Sequence, residues 1–152
     1  MHRLYENDDI VIFWNSEMCQ HAAECVKGSP ETFNPMQRPW IDMSRAGNAE
    51  IWQAVERCPS RALSCLYRHE IDVVLDSDGC RSVAYDGDAI IGECDYEKSK
   101  MGWNIYHTEV LPSYGGKGIA KRLVYKLLEV AEREKVEIKA TCSYAAKIIN
   151  EG

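Results

Sequence analysis

At 152 residues the chain can form one ordinary domain or two small ones, and its 45% hydrophobic content suits a packed core. The net charge of −6 is shared between the halves, with seven basic against ten acidic side chains up to Glu70 and eleven against fourteen beyond it, so neither half has the basic excess of a nucleic-acid-binding surface. No apolar run approaches the ~20 residues that cross a bilayer, and Met1-His2-Arg3-Leu4-Tyr5-Glu6 runs into acidic residues instead of a signal peptide's apolar stretch, which predicts a cytoplasmic protein with no membrane partner.

In chain order, Ile10-Val11-Ile12-Phe13-Trp14 reads as a strand. The loop holding Cys19, His21 and Cys25 follows it. Residues 48–57 read as a helix with Asn48 as N-cap and Ile51, Trp52 and Val55 at helical spacing, and Cys58-Pro59 closes it. The character changes near residue 69, which predicts two domains, 1–69 and 70–152. Beyond the boundary, residues 72–75, 82–85, 89–95 and 103–110 read as successive antiparallel strands, with Asp76-Ser77-Asp78-Gly79 and Asp86-Gly87 as turn chemistry. Residues 117–134 form an amphipathic helix through Ile119, Leu123, Leu127 and Val130-Ala131, residues 136–141 a further strand, and residues 144–150 a short last helix.

Seven cysteines is a high, odd and irregularly spaced count, so metal binding or thiol reactivity explains them better than a disulfide framework. Cys19-x5-Cys25 can aim two thiolates at one inorganic group, and Cys58, stiffened by Pro59, can supply a third from elsewhere in the fold. His21 lies inside the loop and can offer an imidazole nitrogen, which leaves a Cys3His zinc site open beside an iron–sulphur cluster. Cys65 is an outlying thiol expected on a strand. The wording Cys19-Gln20-His21-Ala22-Ala23-Glu24-Cys25-Val26, Phe33 and Cys58-Pro59-Ser60 resembles the divergent single-cluster ferredoxins and the 3Fe-4S ferredoxins of bacterial oxygenase systems. The resemblance implies a 4Fe-4S or 3Fe-4S cluster on Cys19, Cys25 and Cys58 with His21 as fourth candidate, Ala22 standing where ordinary 4Fe-4S ferredoxins have their middle cysteine.

The stretch after the fourth strand of the second half carries Gly115-Gly116-Lys117-Gly118-Ile119-Ala120. Its glycines let the backbone approach a ligand and deliver it to a helix start whose N–H groups and dipole attract anions. That helix opens with Lys117, Lys121 and Arg122 and keeps Glu129, Glu132 and Glu134 for its far half, the reverse of the usual arrangement, as suits phosphate. His107-Thr108-Glu109-Val110, Tyr114 through Leu123, and Thr141-Cys142-Ser143-Tyr144 resemble a small subfamily of GNAT-type (GCN5-related) acetyltransferases over roughly residues 71–150. The resemblance implies that Val110 and the segment Gly115, Gly116, Lys117, Gly118, Ile119, Ala120 and Lys121 hold acetyl-CoA, with Gly115 where the family prefers Arg or Gln. Acyl transfer to an amine also needs a base and an acid for the leaving thiolate. His107 and Glu109 are candidates for the first, Tyr144 for the second, and Cys142 is a candidate acetyl-accepting nucleophile.

The expectation is an α+β protein in which a small ferredoxin-like iron–sulphur domain precedes a minimal GNAT-like domain with a mostly antiparallel sheet. Its function is acetyl transfer from a CoA thioester to an unknown amine acceptor beside a cluster domain. The competing reading is an electron-transfer or redox-sensing protein that works with a redox partner and keeps CoA as a ligand.

Overall fold

Short β-branched and aromatic runs, punctuated by Asn, Asp and Gly, set the architecture of this chain. The structure is a computed structural model that describes residues 2–20 and 22–150. Its backbone gathers into two compact units, Arg3–His69 and Glu70 onward. Helices and strands are mixed in both, an α+β fold. No helix is long and apolar enough to cross a membrane among the described residues.

The first unit holds a three-stranded sheet in the order β1-β2-β3, built from β1 (His2–Glu6), β2 (Ile10–Asn15) and β3 (Leu63–Tyr67). Asn7 makes the first turn, its Oδ1 accepting the N–H groups of Asp9 and Ile10 at 2.9 Å each. β2 and β3 run antiparallel, pairing Ile10 with Tyr67 and Trp14 with Leu63. Two helices lie between these strands in sequence, α1 (Glu24–Gly28) and α2 (Asn48–Glu56). Ile10, Ile12, Phe33, Ile41, Ile51, Val55 and Leu63 form the buried core, with Trp14, Trp40, Cys25, Cys58 and Cys65 half-buried against it. The expected cap at Asn48 is corrected: Gly47 occupies the cap position and no side chain caps α2. Asn48 instead donates to Asp9 Oδ2 and accepts from Asn7 Nδ2, both at 2.8 Å, which ties α2 to the β1–β2 turn.

The second unit holds a five-stranded sheet in the order β4-β5-β6-β7-β8. Its strands are β4 (Ile71–Asp76), β5 (Arg81–Asp86), β6 (Ala89–Ser99), β7 (Gly102–Val110) and β8 (Ile138–Ala140). The first four are antiparallel as expected from their turns, and β8 is parallel to β7 because α3 (Ile119–Arg133) carries the chain back across the sheet. α4 (Ser143–Ile149) follows. α3 packs on β4, β5, β6 and β7 through a stripe that buries Ile119, Leu123, Leu127 and Ala131. Fully burying a leucine contributes about 1.5–3 kcal/mol, so this stripe is a main stabiliser of the unit. Ser82 Oγ donates to Leu123 O at 2.9 Å and fixes the height of the helix.

One expectation about α3 changes. Arg122 is only 1% exposed and its guanidinium donates to Ile71 O at 2.8 Å. It braces the helix to β4, so the basic character of the helix start rests on Lys117 and Lys121. The helix also begins at Ile119, later than its periodicity suggests, because Gly118 sits in the left-handed region at φ 74°.

The start of β7 is held by a close backbone approach. Gly102 has φ +111°, and a Cβ there would meet Glu137 O at 2.2 Å, the carbonyl that accepts the Trp103 N–H at 2.8 Å. Gly102→Ala should therefore lower the unfolding free energy by about 2–4 kcal/mol, read from urea denaturation. A loss under about 0.5 kcal/mol would show that the β7–β8 junction yields easily.

Candidate functional site

β7 pairs with β8 only through Trp103, Asn104 and Ile105. Ile105 O accepts the N–H groups of Thr141 and Cys142 at 3.0 and 3.1 Å, which closes the parallel pairing. Beyond that point β8 gives way to α4 while β7 runs on to Val110, and among the described residues no strand pairs with the vacated edge. β7 also bulges: Asp95 pairs with His107 and the next residue, Tyr96, with Ile105, so Tyr106 is the extra residue. A bulge re-aims backbone groups at the mouth of the fork.

From Val110 the chain enters a short 3-10 turn (Pro112–Tyr114), and Tyr114 Oη donates to Asp86 Oδ2, pinning this turn to the β5–β6 hairpin. Gly115 is extended at φ −64°, Gly116 lies at φ +76°, and Gly118 takes the cap position of α3 in the left-handed region. No side chain caps that helix end and its first turn has no acidic residue. The first intrahelical bond is Arg122 N to Gly118 O, so the amides of Ile119 and Ala120 face outward from the helix start. Lys121 Nζ lies 5.6 Å from the Tyr125 ring. The segment offers backbone donors, a positive dipole end and two lysines to an anion.

Of the four residues expected to carry acyl chemistry, His107 and Glu109 lie on one face of β7 and Cys142 stands against Thr108 on the other, because successive strand side chains point in opposite directions. Thr108 faces Cys142: Cys142 Sγ lies 3.6 Å from Thr108 Oγ1, which is 3.4 Å from Cys94 Sγ. Burial pushes the Cys142 thiol up, but the N–H groups of Ala145, Tyr144 and Thr108 and the Thr108 hydroxyl more than offset it and leave it below the ordinary thiol value. Burial pushes Cys94 up to about 12. Tyr144 follows in α4, 38% exposed. On the other face His107 Nε2 stands 3.4 Å from Glu109 Oε2, and both are exposed. Across β6 lie Asp95, raised by burial and by the charge of Glu93, and Glu93, lowered chiefly by the bond from Arg81 at 3.0 Å. Thr108 and Cys94 belong to this site although residue type alone did not single them out. Their pairing across β6 and β7 needs the register of the sheet.

In the first unit Cys19 ends a 3-10 turn (Ser16–Met18) that follows β2, Cys25 lies in α1, and Cys58 follows α2 with its N–H on Val55 O at 3.1 Å. Three separate elements thus bring three thiols to one cavity of about 680 Å³, lined also by Ala22, Trp14, Trp40 and Arg38. Burial pushes the Cys25 thiol up, and the charges of Cys58 and Cys19 add to it, so the three groups sense one another. At Cys58 burial also acts upward, but the N–H groups of Leu63, Ser60 and Ala62 and the Ser60 hydroxyl outweigh it and the thiol lies below its ordinary value. Cys65 lies on β3 opposite Ile12, is not among the residues lining the cavity, and is pushed to about 12, chiefly by burial. His21 lies outside the described residues. Among the described residues no three His, Cys, Asp or Glu side chains gather closely enough to hold a single ion. Three thiols lining one cavity fit the donor set of a 3Fe-4S or 4Fe-4S group, in which each iron takes at most one cysteine.

The thiol environments differ enough to test. In the reduced apoprotein near neutral pH, iodoacetamide should modify Cys142 at least about tenfold faster than Cys94, since the thiolate is the reactive form. Equal rates by peptide mass spectrometry would contradict the two environments described.

Residues 5–68 match the family described as a divergent 4Fe-4S mono-cluster, and residues 81–152 match the GCN5-related N-acetyl-transferase family. The chain is 35% identical over 69 residues to the uncharacterized protein YjdI of Escherichia coli strain K12, covering 45% of this chain and 88% of that protein. YjdI of Escherichia coli O157:H7 matches to the same extent. Among solved structures, a GCN5-related N-acetyltransferase from Sphaerobacter thermophilus is similar at 17% identity and a TM-score of 0.37, over 90% of this chain and 42% of that one. The chain spans less than half of that neighbour's length. The chain belongs to the divergent 4Fe-4S mono-cluster family through residues 5–68, and its residues 81–152 match the model of the GCN5-related N-acetyl-transferase family.

Proposed function

We propose that this protein is an acetyl-CoA-binding N-acetyltransferase of unassigned amine acceptor, with residues 70–152 as the transferase domain and residues 1–69 as an iron–sulphur domain. The observation that carries the reading is the fork: β7 loses its β8 partner after Ile105 and runs into an uncapped helix start at Gly118. The open edge of β7, from the bulge at Tyr106 to Val110, has the backbone groups to align a pantetheine arm. The amides at the start of α3, with Lys117 and Lys121, have the charge and direction to hold the pyrophosphate. When bound, acetyl-CoA supplies a thioester whose acetyl group an amine can take.

This chain's residues then have definite tasks. An N–H turned by the β7 bulge donates to the thioester oxygen and stabilises charge gathering there. His107, exposed beside Glu109, takes a proton from the acceptor ammonium at a ring nitrogen. Tyr144, in the first turn of α4 two residues after Cys142, is the group to return a proton to the departing sulphur. Cys142, held by the amides of α4 and by Thr108, is the group that would accept acetyl covalently if transfer takes two steps.

In the iron–sulphur domain, Cys19, Cys25 and Cys58 would be the thiolate ligands, and the cluster they hold would supply a one-electron couple. A 4Fe-4S cluster with three thiolates leaves one iron to another ligand, with His21 the candidate, and loss of that iron gives the 3Fe-4S form. One observation favours a second reading, in which CoA is a ligand and the protein senses redox state: His107 and Glu109 lie on the opposite face of β7 from Thr108 and Cys142. Turnover of acetyl-CoA across an amine panel separates the two, a complete lack of transfer favouring the sensor.

Two measurements test the binding claims. Protein purified without oxygen should carry iron and acid-labile sulphide, and Cys58→Ser should lose most of both, whereas stoichiometric zinc without iron from iron-replete cells would overturn the cluster assignment. For the CoA site, Gly118→Asn and Gly118→Asp present nearly the same shape in a left-handed position that both residues tolerate. Calorimetry should find CoA binding weakened at least about tenfold more by Asp than by Asn, since only Asp puts a negative charge at the helix start. Equal affinities would mean that no phosphate approaches there.

A further inference from the structure

The turn that carries Cys58 places more than a thiol at the cavity. Ser60, two residues on and half-buried, has its Oγ 3.7 Å from Cys58 Sγ, within reach of a hydrogen bond to sulphur. Pro59 stiffens the link between them, and backbone N–H groups of Ser60, Ala62 and Leu63 converge on the same sulphur. In a thiol either atom can donate. In a thiolate that ligates iron the sulphur has no proton, so the Ser60 hydroxyl must be the donor.

We infer that Ser60 is a tuning residue of the iron–sulphur centre, donating a hydrogen bond to the Cys58 thiolate and thereby raising the centre's reduction potential. The inference rests on the reading that Cys58 ligates the cluster. Its physical basis is charge. The reduced centre carries one more negative charge than the oxidised one and part of that charge resides on the cysteine sulphurs. A donor aimed at sulphur therefore stabilises the reduced state more than the oxidised state. Reduction is the transfer of one electron from the reductant to the cluster; no bond to Cys58 or Ser60 breaks, and the Ser60 proton stays on its oxygen. The cavity walls are otherwise largely apolar around Trp14, Trp40 and Leu63, and in such surroundings one hydroxyl weighs more than it does in water.

The test is a dithionite titration of the anaerobic full-length protein, followed by electron paramagnetic resonance, in wild type, Ser60→Ala and Ser60→Thr. The expected result is a midpoint potential in Ser60→Ala shifted to a more negative value at unchanged iron and sulphide content, with Ser60→Thr restored toward wild type because it keeps the hydroxyl. A potential unmoved by Ser60→Ala overturns the inference, as does Ser60→Thr shifted as far as Ser60→Ala. Deuterium exchange provides a second readout: an exchangeable deuteron coupled to the cluster at hydrogen-bond range that is kept in Ser60→Thr and lost in Ser60→Ala supports the inference, and the same couplings in wild type and Ser60→Ala, which leave only the backbone amides as their source, overturn it. Wild-type protein without iron and sulphide would overturn the cluster reading and this inference with it. A loaded cluster with an unmoved potential overturns the tuning role alone.

Discussion

The short parallel pairing between β7 and β8 is the constraint on which the second unit depends. It joins Trp103, Asn104 and Ile105 to Ile138, Lys139 and Ala140 and then stops. Its near end is fixed by the contact of Gly102 with the Glu137 carbonyl, and its far end by the Ile105 carbonyl, which takes two N–H groups at once. With both ends fixed, the pairing cannot lengthen without breaking one of them. The open edge of β7 beyond Ile105 is therefore a built feature of the sheet. The parallel direction requires a crossover, α3 supplies it, and the glycine turn that begins the crossover lies directly after the open edge. Backbone topology alone thus puts strand amides and a helix start in sequence, before any side chain acts.

The first unit solves a different problem. Three thiols, two of them six residues apart and the third beyond α2, line one cavity, and each is delivered by a local element: a 3-10 turn after β2, the short helix α1, and the Cys58-Pro59 turn after α2. Their shared cavity borders the apolar core through Trp14 and Leu63, so holding the core together also holds the three thiols in place. The same placement accounts for the contrast among the thiols. Cys25 is disfavoured as a thiolate by burial, while Cys58 is favoured by the amides and hydroxyl around it. Metal coordination would reverse the penalty at Cys25, because a coordinated thiol is deprotonated outright.

Much of this was legible in the sequence, and what was not has physical reasons. The antiparallel strands of the second unit and α3 announce themselves through clean periodicity and turn residues. β1 escaped because His2-Arg3-Leu4-Tyr5-Glu6 has little apolar alternation, and α1 because a helix of five residues leaves no periodic trace. Asn48 looked like a cap because of its residue type, yet its amide found two partners across the unit, a tertiary contact outweighing a local preference. Arg122 looked like part of a phosphate-binding surface because charge is read as exposure, whereas its guanidinium found a backbone carbonyl in β4. The cysteine spacing singled out Cys19, Cys25 and Cys58, but only the fold brings them to one cavity. The division of His107 and Glu109 from Cys142 follows from strand alternation, yet it could be seen only once Thr108 was found against Cys142.

The central claim is that one chain holds an iron–sulphur centre on three cysteines and a CoA thioester at a strand fork. Native mass spectrometry of the anaerobically purified full-length protein, mixed with acetyl-CoA, tests both parts in a single spectrum. The expected spectrum contains a species whose mass is the chain plus one cluster plus one CoA thioester. A chain that gains neither mass, or gains only a zinc ion, would contradict the claim.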